Sequence, residues 1–420
     1  MILSRVQLAS GDVTDVEIQA GKITQIGKQS GSDIDCDGLV LLPGLIDLHT
    51  HLRQPGFEES ETIASGSRAA AAGGYTTVFA MANTKPVQDT SEIVDRVAEL
   101  GESAGYVNVR PIGAITKGLE GRELSAIQAM ANSRASVRVF SDDGFCVTDK
   151  NLMRNALREV KSFGGVIAQH SQNHEQTQGS QMNEGQLSVE LGLTGWSRFA
   201  EEEIIARDAE LAIETGSRLH VCHVTTAGGV DVIRWAKAKG ANITAEVTPH
   251  HLLLTEDLVR SYDPVYKVNP PLRTDEDTKA LRMGLLEGII DILATDHAPH
   301  SKEKKECEWP LAAFGMIGLE VAASVLYKVL IAEGGANWSD FARISSQMPA
   351  KIGCLANVGE ISVGSAADLM LFDPTTVSEI GTGSNSLSAN NPWVGLKLPG
   401  RVVHTIYRGK MTVRDGELVG

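Results

Sequence analysis

The sequence is poor in cysteine and has no long apolar run. Its 420 residues include five cysteines, which are odd in number, far apart and free of any Cys-x-x-Cys pair. This pattern argues against a disulfide framework and favours reduced thiols. No apolar run approaches the about 18 residues that a membrane-spanning helix needs, and the N-terminus lacks the basic and apolar segments of a secretion signal. We therefore expect a cytoplasmic protein without a membrane partner.

Basic residues are also outnumbered, with 38 Lys and Arg against 53 Asp and Glu and a formal net charge of −15. Because nucleic acids and anionic lipids are bound through basic surfaces, this balance argues against both as partners. Only 5% of the residues are aromatic, but 42% are hydrophobic and 42 are glycine. These values are typical of a globular protein with many tight turns and a sizeable core.

Apolar, β-branched runs alternate with helical patterns through the middle of the chain. Segments such as 149–163, 201–215 and 230–239 carry apolar residues at helical spacing between these runs. Alternation of strand and helix implies parallel strands, and eight units imply a (β/α)8 barrel. A doubly wound open sheet is the competing architecture. The eight predicted strands are 44–48, 75–81, 107–115, 136–140, 165–169, 218–224, 243–247 and 289–294.

Short strands with glycine turns occupy both ends of the chain. We predict a small β domain built from residues 1–43 and 350–420, and a catalytic barrel over residues 44–349. The polar stretch 171–196 is too long for an ordinary connection and predicts a functional loop. The run 302–306 is mixed in sign and predicts a solvated helix start.

Histidines and aspartates follow five of the eight predicted strands. In an extended strand, His49 and His51 leave the same side of the backbone. Active sites of (β/α)8 barrels lie at the carboxyl ends of the strands, where imidazole and carboxylate groups can bind zinc. Six ligands suffice for two ions, which can deprotonate water and polarise a carbonyl. The candidates are His49, His51, an aspartate of Ser141-Asp142-Asp143-Gly144, His170, His223 and Asp296.

Four motifs resemble those of the dihydroorotase family, within the amidohydrolase superfamily. They are Asp47-Leu48-His49-Thr50-His51-Leu52-Arg53-Gln54-Pro55-Gly56, Met81-Ala82-Asn83-Thr84-Lys85-Pro86, Val268-Asn269-Pro270-Pro271-Leu272-Arg273 and Ala294-Thr295-Asp296-His297-Ala298-Pro299-His300, and the match extends through Phe314-Gly315-Met316-Ile317-Gly318-Leu319-Glu320. The resemblance covers essentially the whole chain. It implies the reversible cyclisation of N-carbamoyl-L-aspartate to L-dihydroorotate with loss of water, in pyrimidine biosynthesis. It also implies zinc, one or two ions per chain, of which we expect two.

The resemblance assigns roles to the residues at the strand ends. It makes His49, His51, His170, His223 and Asp296 metal ligands, and Asp296 also the catalytic acid and base. Many relatives place a lysine after strand four, which reacts with carbon dioxide to become a bridging carbamate. This chain has no lysine there, so a carboxylate must bridge the ions, as in type I dihydroorotases. We choose Asp143 from its sequence distance to His170, with Asp142 as the second choice.

The resemblance also predicts a substrate site. It assigns Arg53, Asn83 and His300 to the substrate carboxylate, and Asn269 and the backbone of Phe314 and Gly315 to the ring. A dianionic substrate on an acidic protein needs such an arginine fork. Two departures concern loop shape around the substrate. Ala82 stands where proline is common, and Gln169-His170-Ser171-Gln172-Asn173 replaces the more usual His-Cys-Glu-Asp.

Two other functions compete with this prediction. One is another cyclic amidohydrolase, an allantoinase or dihydropyrimidinase; the other is a non-catalytic partner of aspartate transcarbamoylase. Arg53 argues against a dihydropyrimidinase, whose uncharged substrate ring needs no carboxylate clamp, and the missing lysine argues against both enzymes. The filled ligand positions argue against an inactive partner. The sequence leaves open a homodimer and a complex with aspartate transcarbamoylase.

Overall fold

Parallel strands in the middle of the chain form the wall of a barrel in the computed structural model, which describes residues 1–419. The first three barrel strands form one hydrogen-bonded sheet and the remaining five form another. Two isolated parallel bridges, Gly113 with Phe140 and Thr50 with His297, join these sheets, so the wall closes. This confirms the (β/α)8 barrel against an open sheet. In chain order the barrel strands are Leu45–Thr50, Tyr75–Ala80, Asn108–Pro111, Val139–Phe140, Val166–Gln169, Arg218–Val221, Ile243–Val247 and Ile292–Leu293.

Helices connect the barrel strands and cover the wall. The three predicted from apolar spacing are present as Lys150–Lys161, Phe199–Thr215 and Ala227–Ala238. Asp149 caps the first of these by accepting a hydrogen bond from the backbone N–H of Leu152. The other α-helices are Ile63–Ala72, Ser91–Ala104, Ile127–Ala131, Gln186–Leu191, Pro249–Leu253, Asp275–Leu286, Lys302–Lys305, Ala322–Leu326, Trp338–Ala342 and Met348–Ile352.

Shorter helical segments complete the connections. The 3-10 turns are Lys117–Leu119, Glu256–Ser261, Pro264–Tyr266 and Trp309–Leu311, and the π-helical segments are Tyr327–Ala332 and Arg343–Gln347. Within residues 1–419, no helix has the length and apolar character required to cross a membrane.

Apolar side chains fill much of the barrel interior. They come from most of the strands, and Ala350 and Ile352 of the helix Met348–Ile352 pack against them. Because a polar group buried among them would lose its water, polar ligands suit the strand ends better than the middle of the barrel. The interior cluster includes Ile46, Leu48, Phe79, Met81, Ile112, Val139, Val166, Ala168, Cys222, Ile292 and Ala294.

Strands from both ends of the chain form one nine-stranded sheet. Val40–Pro43 pairs in parallel with Ile2–Gln7 and antiparallel with Leu369–Glu379. This confirms the β structure predicted from both termini, while the domain bounds 1–43, 44–349 and 350–420 stay predictions. The strand order is Glu417–Leu418, Lys410–Arg414, Lys397–Tyr407, Leu369–Glu379, Val40–Pro43, Ile2–Gln7, Val13–Gln19 and Lys22–Ile26, with Ile34–Asp35 beside Ile2–Gln7.

The polar stretch 171–196 has more regular structure than its composition suggests. Its helix Gln186–Leu191 lies between two short strands, Met182–Asn183 and Gly195–Trp196, which pair in parallel. Met182 and Leu187 pack with apolar residues from elsewhere in the chain. Strands of two residues carry no readable periodicity, so the sequence does not reveal them.

Candidate functional site

Four histidines and two aspartates meet at the carboxyl ends of the barrel strands. All six side chains are buried. Two of the residues, His223 and Asp296, have φ angles of 31° and 46°. This left-handed region is sparsely populated by residues other than glycine and often marks functional sites. The six residues are His49, His51, Asp143, His170, His223 and Asp296.

Asp143 lies at the centre of this cluster. Its Oδ1 is 3.4 Å from His49 Nε2 and 3.3 Å from both His170 Nδ1 and His223 Nε2. Its Oδ2 is 3.2 Å from His51 Nε2. Ligand atoms of His49, His51 and Asp143 lie within 4.8 Å of one another, as do those of Asp143, His170 and His223. The two groups therefore share one carboxylate.

Asp142, the second choice for the bridge, faces the backbone. Its Oδ1 accepts hydrogen bonds from the N–H groups of Ile115 at 2.7 Å and Thr116 at 3.0 Å. The Thr116 hydroxyl donates to its other oxygen. These bonds hold the Asp142 carboxylate against the segment that follows the third barrel strand, Asn108–Pro111. Asp143 is therefore the carboxylate that faces the histidines.

Asp296 completes one side of the cluster. Its Oδ1 is 3.1 Å from His51 Nε2 and 3.4 Å from His49 Nε2. Burial would raise the pKa of Asp296, but the charge of His49 and the hydrogen bond and charge of His51 hold it well below its usual value. The carboxyl group is therefore ionised and able to accept a proton.

The donor set fits a divalent cation. His49 Nε2 is buried and has no hydrogen-bond partner among the described residues, although a buried polar atom normally has one. Burial would lower the pKa of His49, but the facing carboxylates, Asp143 first, raise it well above its usual value. A cation bound between these carboxylates would take the place of the protons that the ligands otherwise hold.

Glu246 orients His49 from the strand Ile243–Val247, which pairs with the last barrel strand, Ile292–Leu293. Its Oε1 is 2.5 Å from His49 Nδ1, and its Oε2 is 2.9 Å from His220 Nε2. Burial would raise the pKa of Glu246, but the charge of His49 and the hydrogen bond from His220 bring it to about 2. His49 Nδ1 therefore donates to Glu246 and leaves Nε2 free for a metal. The sequence did not predict this role for Glu246. The feature that could have indicated it is an acidic residue within a largely apolar strand.

Two side-chain amides orient further histidines. Asn83 Oδ1 is 3.0 Å from His51 Nδ1, and Gln172 Oε1 is 2.7 Å from His170 Nε2. Because an amide oxygen only accepts, the ring N–H groups donate and the opposite ring nitrogens face Asp143. Asn83, predicted to bind the substrate carboxylate, thus has its oxygen on His51 and keeps its amide nitrogen for a ligand. The orienting role of Gln172 was not predicted.

Arg53 and His300 lie next to each other. Arg53 Nε donates to Pro299 O at 3.0 Å, and its Nη2 is 3.3 Å from His300 Nε2. Burial and the charge of Arg53 lower the pKa of His300 to about 2, so this ring is neutral. Burial also lowers the pKa of Arg53, to about 10, which leaves it charged at neutral pH. Arg53 therefore offers an anion a positive charge and N–H donors, while the neutral His300 ring has only one N–H to donate.

Asn269, Phe314 and Gly315, predicted to contact the substrate ring, lie close to Gln172 and His300. Asn269 Nδ2 donates to Gln172 Oε1 at 3.0 Å, and its Oδ1 is buried without a partner among residues 1–419. The His300 ring donates to Phe314 O at 2.7 Å. At Gly315, where φ is 147°, an added Cβ would lie 2.8 Å from His300 Nε2. Glycine therefore allows the close approach of this segment to His300.

Comparisons with proteins of known sequence point to one family. A profile described as Dihydro-orotase-like matches residues 38–228. The dihydroorotase of Leifsonia xyli subsp. xyli is 57% identical over 100% of this chain and 97% of its own length. The dihydroorotase of Streptomyces coelicolor is 53% identical, with 98% of each protein covered. The dihydroorotase of Mycobacterium tuberculosis is 48% identical over 97% of this chain and 96% of its own length.

Solved structures of cyclic amide hydrolases share the fold. The L-hydantoinase (dihydropyrimidinase) from Arthrobacter aurescens has a TM-score of 0.90 at 26% identity and covers 100% of this chain and 97% of its own. The D-hydantoinase (dihydropyrimidinase) from Thermus sp. has a TM-score of 0.86 at 27% identity, with 100% and 96% covered. The likeness to dihydroorotases is closer in sequence and runs the full length, so this chain belongs to the dihydroorotase family.

Proposed function

We propose that this chain is a zinc-dependent dihydroorotase that interconverts N-carbamoyl-L-aspartate and L-dihydroorotate. The observation that carries the proposal is the pair of ligand groups that share Asp143. The charged Arg53 lies two residues after His51 and suits a substrate with a carboxylate on its ring.

We assign two zinc ions to the cluster. Asp143 would be the ligand that both ions share, because its two oxygens face both groups of histidines. Bound there, the ions would lower the pKa of water and polarise a carbonyl oxygen of the substrate. One ion would be held by His49, His51, Asp143 and Asp296, and the other by Asp143, His170 and His223.

Asp296 acts as the catalytic base and acid. In ring opening its carboxylate takes a proton from the attacking water, whose oxygen bonds to the ring carbonyl carbon. The amide C–N bond then breaks, and Asp296 returns the proton to the departing nitrogen. Ring closure runs through the same steps in reverse and releases water. The lowered pKa of Asp296 keeps the carboxyl group ionised, which is the state in which it can accept a proton.

The remaining predicted residues hold the substrate. Arg53, with the Asn83 amide nitrogen and His300, binds the carboxylate on the ring, and for this the neutral His300 ring turns its one N–H from Phe314 O to the carboxylate. Asn269 Oδ1, which lacks a partner among the described residues, accepts a hydrogen bond from a ring N–H. The backbone of Phe314 and Gly315 provides the other ring contacts. An arginine fork and fixed polar atoms select a charged cyclic amide over an uncharged one.

The alternative functions have less support. The likeness to dihydropyrimidinases lies at 26–27% identity, against 48–57% for the dihydroorotases described above. All six ligand positions are filled, which argues against a non-catalytic partner of aspartate transcarbamoylase. A homodimer and a complex with that enzyme remain predictions from the resemblance alone.

Turnover of L-dihydroorotate by the zinc-loaded protein tests the proposal. Allantoin and dihydrouracil serve as competing substrates, and chelated protein serves as the control. We expect chelator-sensitive opening of dihydroorotate alone. No activity despite bound zinc would refute the proposal and favour the non-catalytic partner, for which the assay is repeated with aspartate transcarbamoylase. A stoichiometry of one zinc per active chain would refute the two-ion assignment.

A further inference from the structure

Two lysine side chains are buried beside the segment that carries the proposed ring contacts. Lys267 is 1% exposed and Lys305 is 6% exposed. Lys305 belongs to the run 302–306, for which the sequence predicts a solvated helix start. The helix Lys302–Lys305 is present and its first three residues are exposed, but the prediction is wrong for Lys305. A lysine is rarely buried unless its ammonium group has partners.

Three backbone carbonyl oxygens surround the Lys305 ammonium group. Its Nζ donates to Lys267 O at 3.1 Å and to Ala313 O and Gly315 O at 2.9 Å each. Burial and the charge of Lys267 lower the pKa of Lys305 to about 7. The carbonyls favour the charged form, because an ammonium group has three hydrogens to donate and a neutral amine has two.

These bonds fix the backbone of Ala313, Phe314 and Gly315 from several directions. Gly315 O accepts a second hydrogen bond, from Asn390 Nδ2 at 3.1 Å, and Gly315 N donates to Lys267 O at 2.9 Å. Phe314 O accepts from His300 on another side. Without the Lys305 ammonium group, Ala313 O would lose the donor described here, and Gly315 O would keep only Asn390.

We propose that Lys305 is a positioning residue of the dihydroorotase reaction, which holds the Ala313–Gly315 backbone so that its Phe314 and Gly315 contact the substrate ring. The inference rests on the proposed function, because that function assigns the ring contacts to this backbone. Lys305 is not among the residues assigned to the metals or the substrate, so it acts through the segment that it holds. Its loss should therefore weaken substrate binding more than the chemical step.

Steady-state kinetics of Lys305→Met, zinc-loaded and full-length, test this inference. Methionine keeps the unbranched apolar stem and removes the three donors. We expect KM for L-dihydroorotate to rise about tenfold or more, with kcat within about threefold of wild type and zinc content unchanged. Lys302→Met is the matched control, because it makes the same change at an exposed position of the same helix, and should keep the wild-type KM.

A second variant keeps the test decisive if Lys305→Met does not fold. Lys305→Gln leaves an amide N–H donor in place of the ammonium group and should give a smaller rise in KM. A wild-type KM in either folded variant would overturn the inference. So would a parallel loss of kcat and zinc, because that result would make Lys305 a support of the metal ligands. Lack of turnover by the wild-type protein would instead refute the proposed function.

Discussion

Asp296 combines two proposed roles, metal ligand and acid–base group, in one side chain. Asn at this position keeps the size and one oxygen but can no longer accept a proton at neutral pH. We expect Asp296→Asn to lower kcat for L-dihydroorotate by about 10²- to 10⁴-fold, with a circular dichroism spectrum like that of wild type. Wild-type activity in this variant would contradict the proposed mechanism.

Gln172 stands where the related motif usually has glutamate. Its Oε1 accepts from His170 Nε2, and its Nε2 donates to Thr177 Oγ1 at 2.7 Å. A carboxylate would accept from His170 more strongly and make the opposite ring nitrogen a better ligand. The Thr177 hydroxyl, which donates to Asn173 O at 3.1 Å, would turn to donate to that carboxylate instead. We expect Gln172→Glu to bind zinc about tenfold or more tightly in competition with a chelator.

The control for this prediction is Gln128→Glu, which makes the same change on an exposed helix position. It should leave zinc affinity unchanged. Equal or weaker affinity in Gln172→Glu would mean that the amide at this position does not limit the ligand strength of His170.

The candidate ligands could be predicted from sequence because each follows a strand and lies in or near a recognisable motif. Glu246 and Lys305 could not. Glu246 owes its role to His49, which lies 197 positions away in the chain. Lys305 follows exposed charged residues in a helix of only 4 residues, which is too short for apolar periodicity to mark a buried side.

At the level of elements, the order of strands and helices followed from the sequence, but lengths did not. The sequence predicts strands over 136–140 and 289–294, whereas the paired strands are Val139–Phe140 and Ile292–Leu293. An apolar run can continue after the backbone stops pairing with its neighbour, because burial and strand pairing are separate requirements. The short strands within 171–196 escaped prediction for the opposite reason, since their polar composition resembles a loop.

Glu61 attaches a C-terminal segment to the barrel. It is fully buried and accepts hydrogen bonds from the Ser386 hydroxyl and from Leu387 N, the latter at 3.1 Å. Ser386 donates to Oε2 and Leu387 N to Oε1, so glutamine would place its amide NH2 against one of these two donors. We expect Glu61→Gln to lower the free energy of unfolding by about 1–3 kcal/mol in denaturant titrations.

Glu58→Gln, at an exposed position of the same loop, is the control and should leave stability nearly unchanged. If Glu61→Gln were as stable as wild type, the hydrogen bonds to Ser386 and Leu387 would contribute nothing measurable to the docking of this segment.

At the scale of the whole molecule, barrel closure creates the site. The proposed ligands His49 and Asp296 come from the first and last barrel strands, which meet where Thr50 bridges to His297. The count of eight strand and helix units predicted this closure, and the closure explains why residues far apart in sequence converge. The distances within the cluster depend on local backbone conformation, such as the left-handed φ angle of Asp296. No sequence pattern specifies such a conformation.

Bound zinc should therefore stabilise the entire barrel, since its proposed ligands come from five strands. A ligand that binds only the folded state adds about 2.7 kcal/mol at a free concentration one hundred times its dissociation constant. We expect zinc to raise the thermal unfolding midpoint of metal-free wild-type protein, and to raise that of Asp143→Asn much less, because the shared ligand is impaired. Differential scanning calorimetry with zinc quantified in each sample measures both shifts. An equal zinc-induced shift in wild type and Asp143→Asn would contradict the assignment of Asp143 as the bridge, even if both proteins bound the metal.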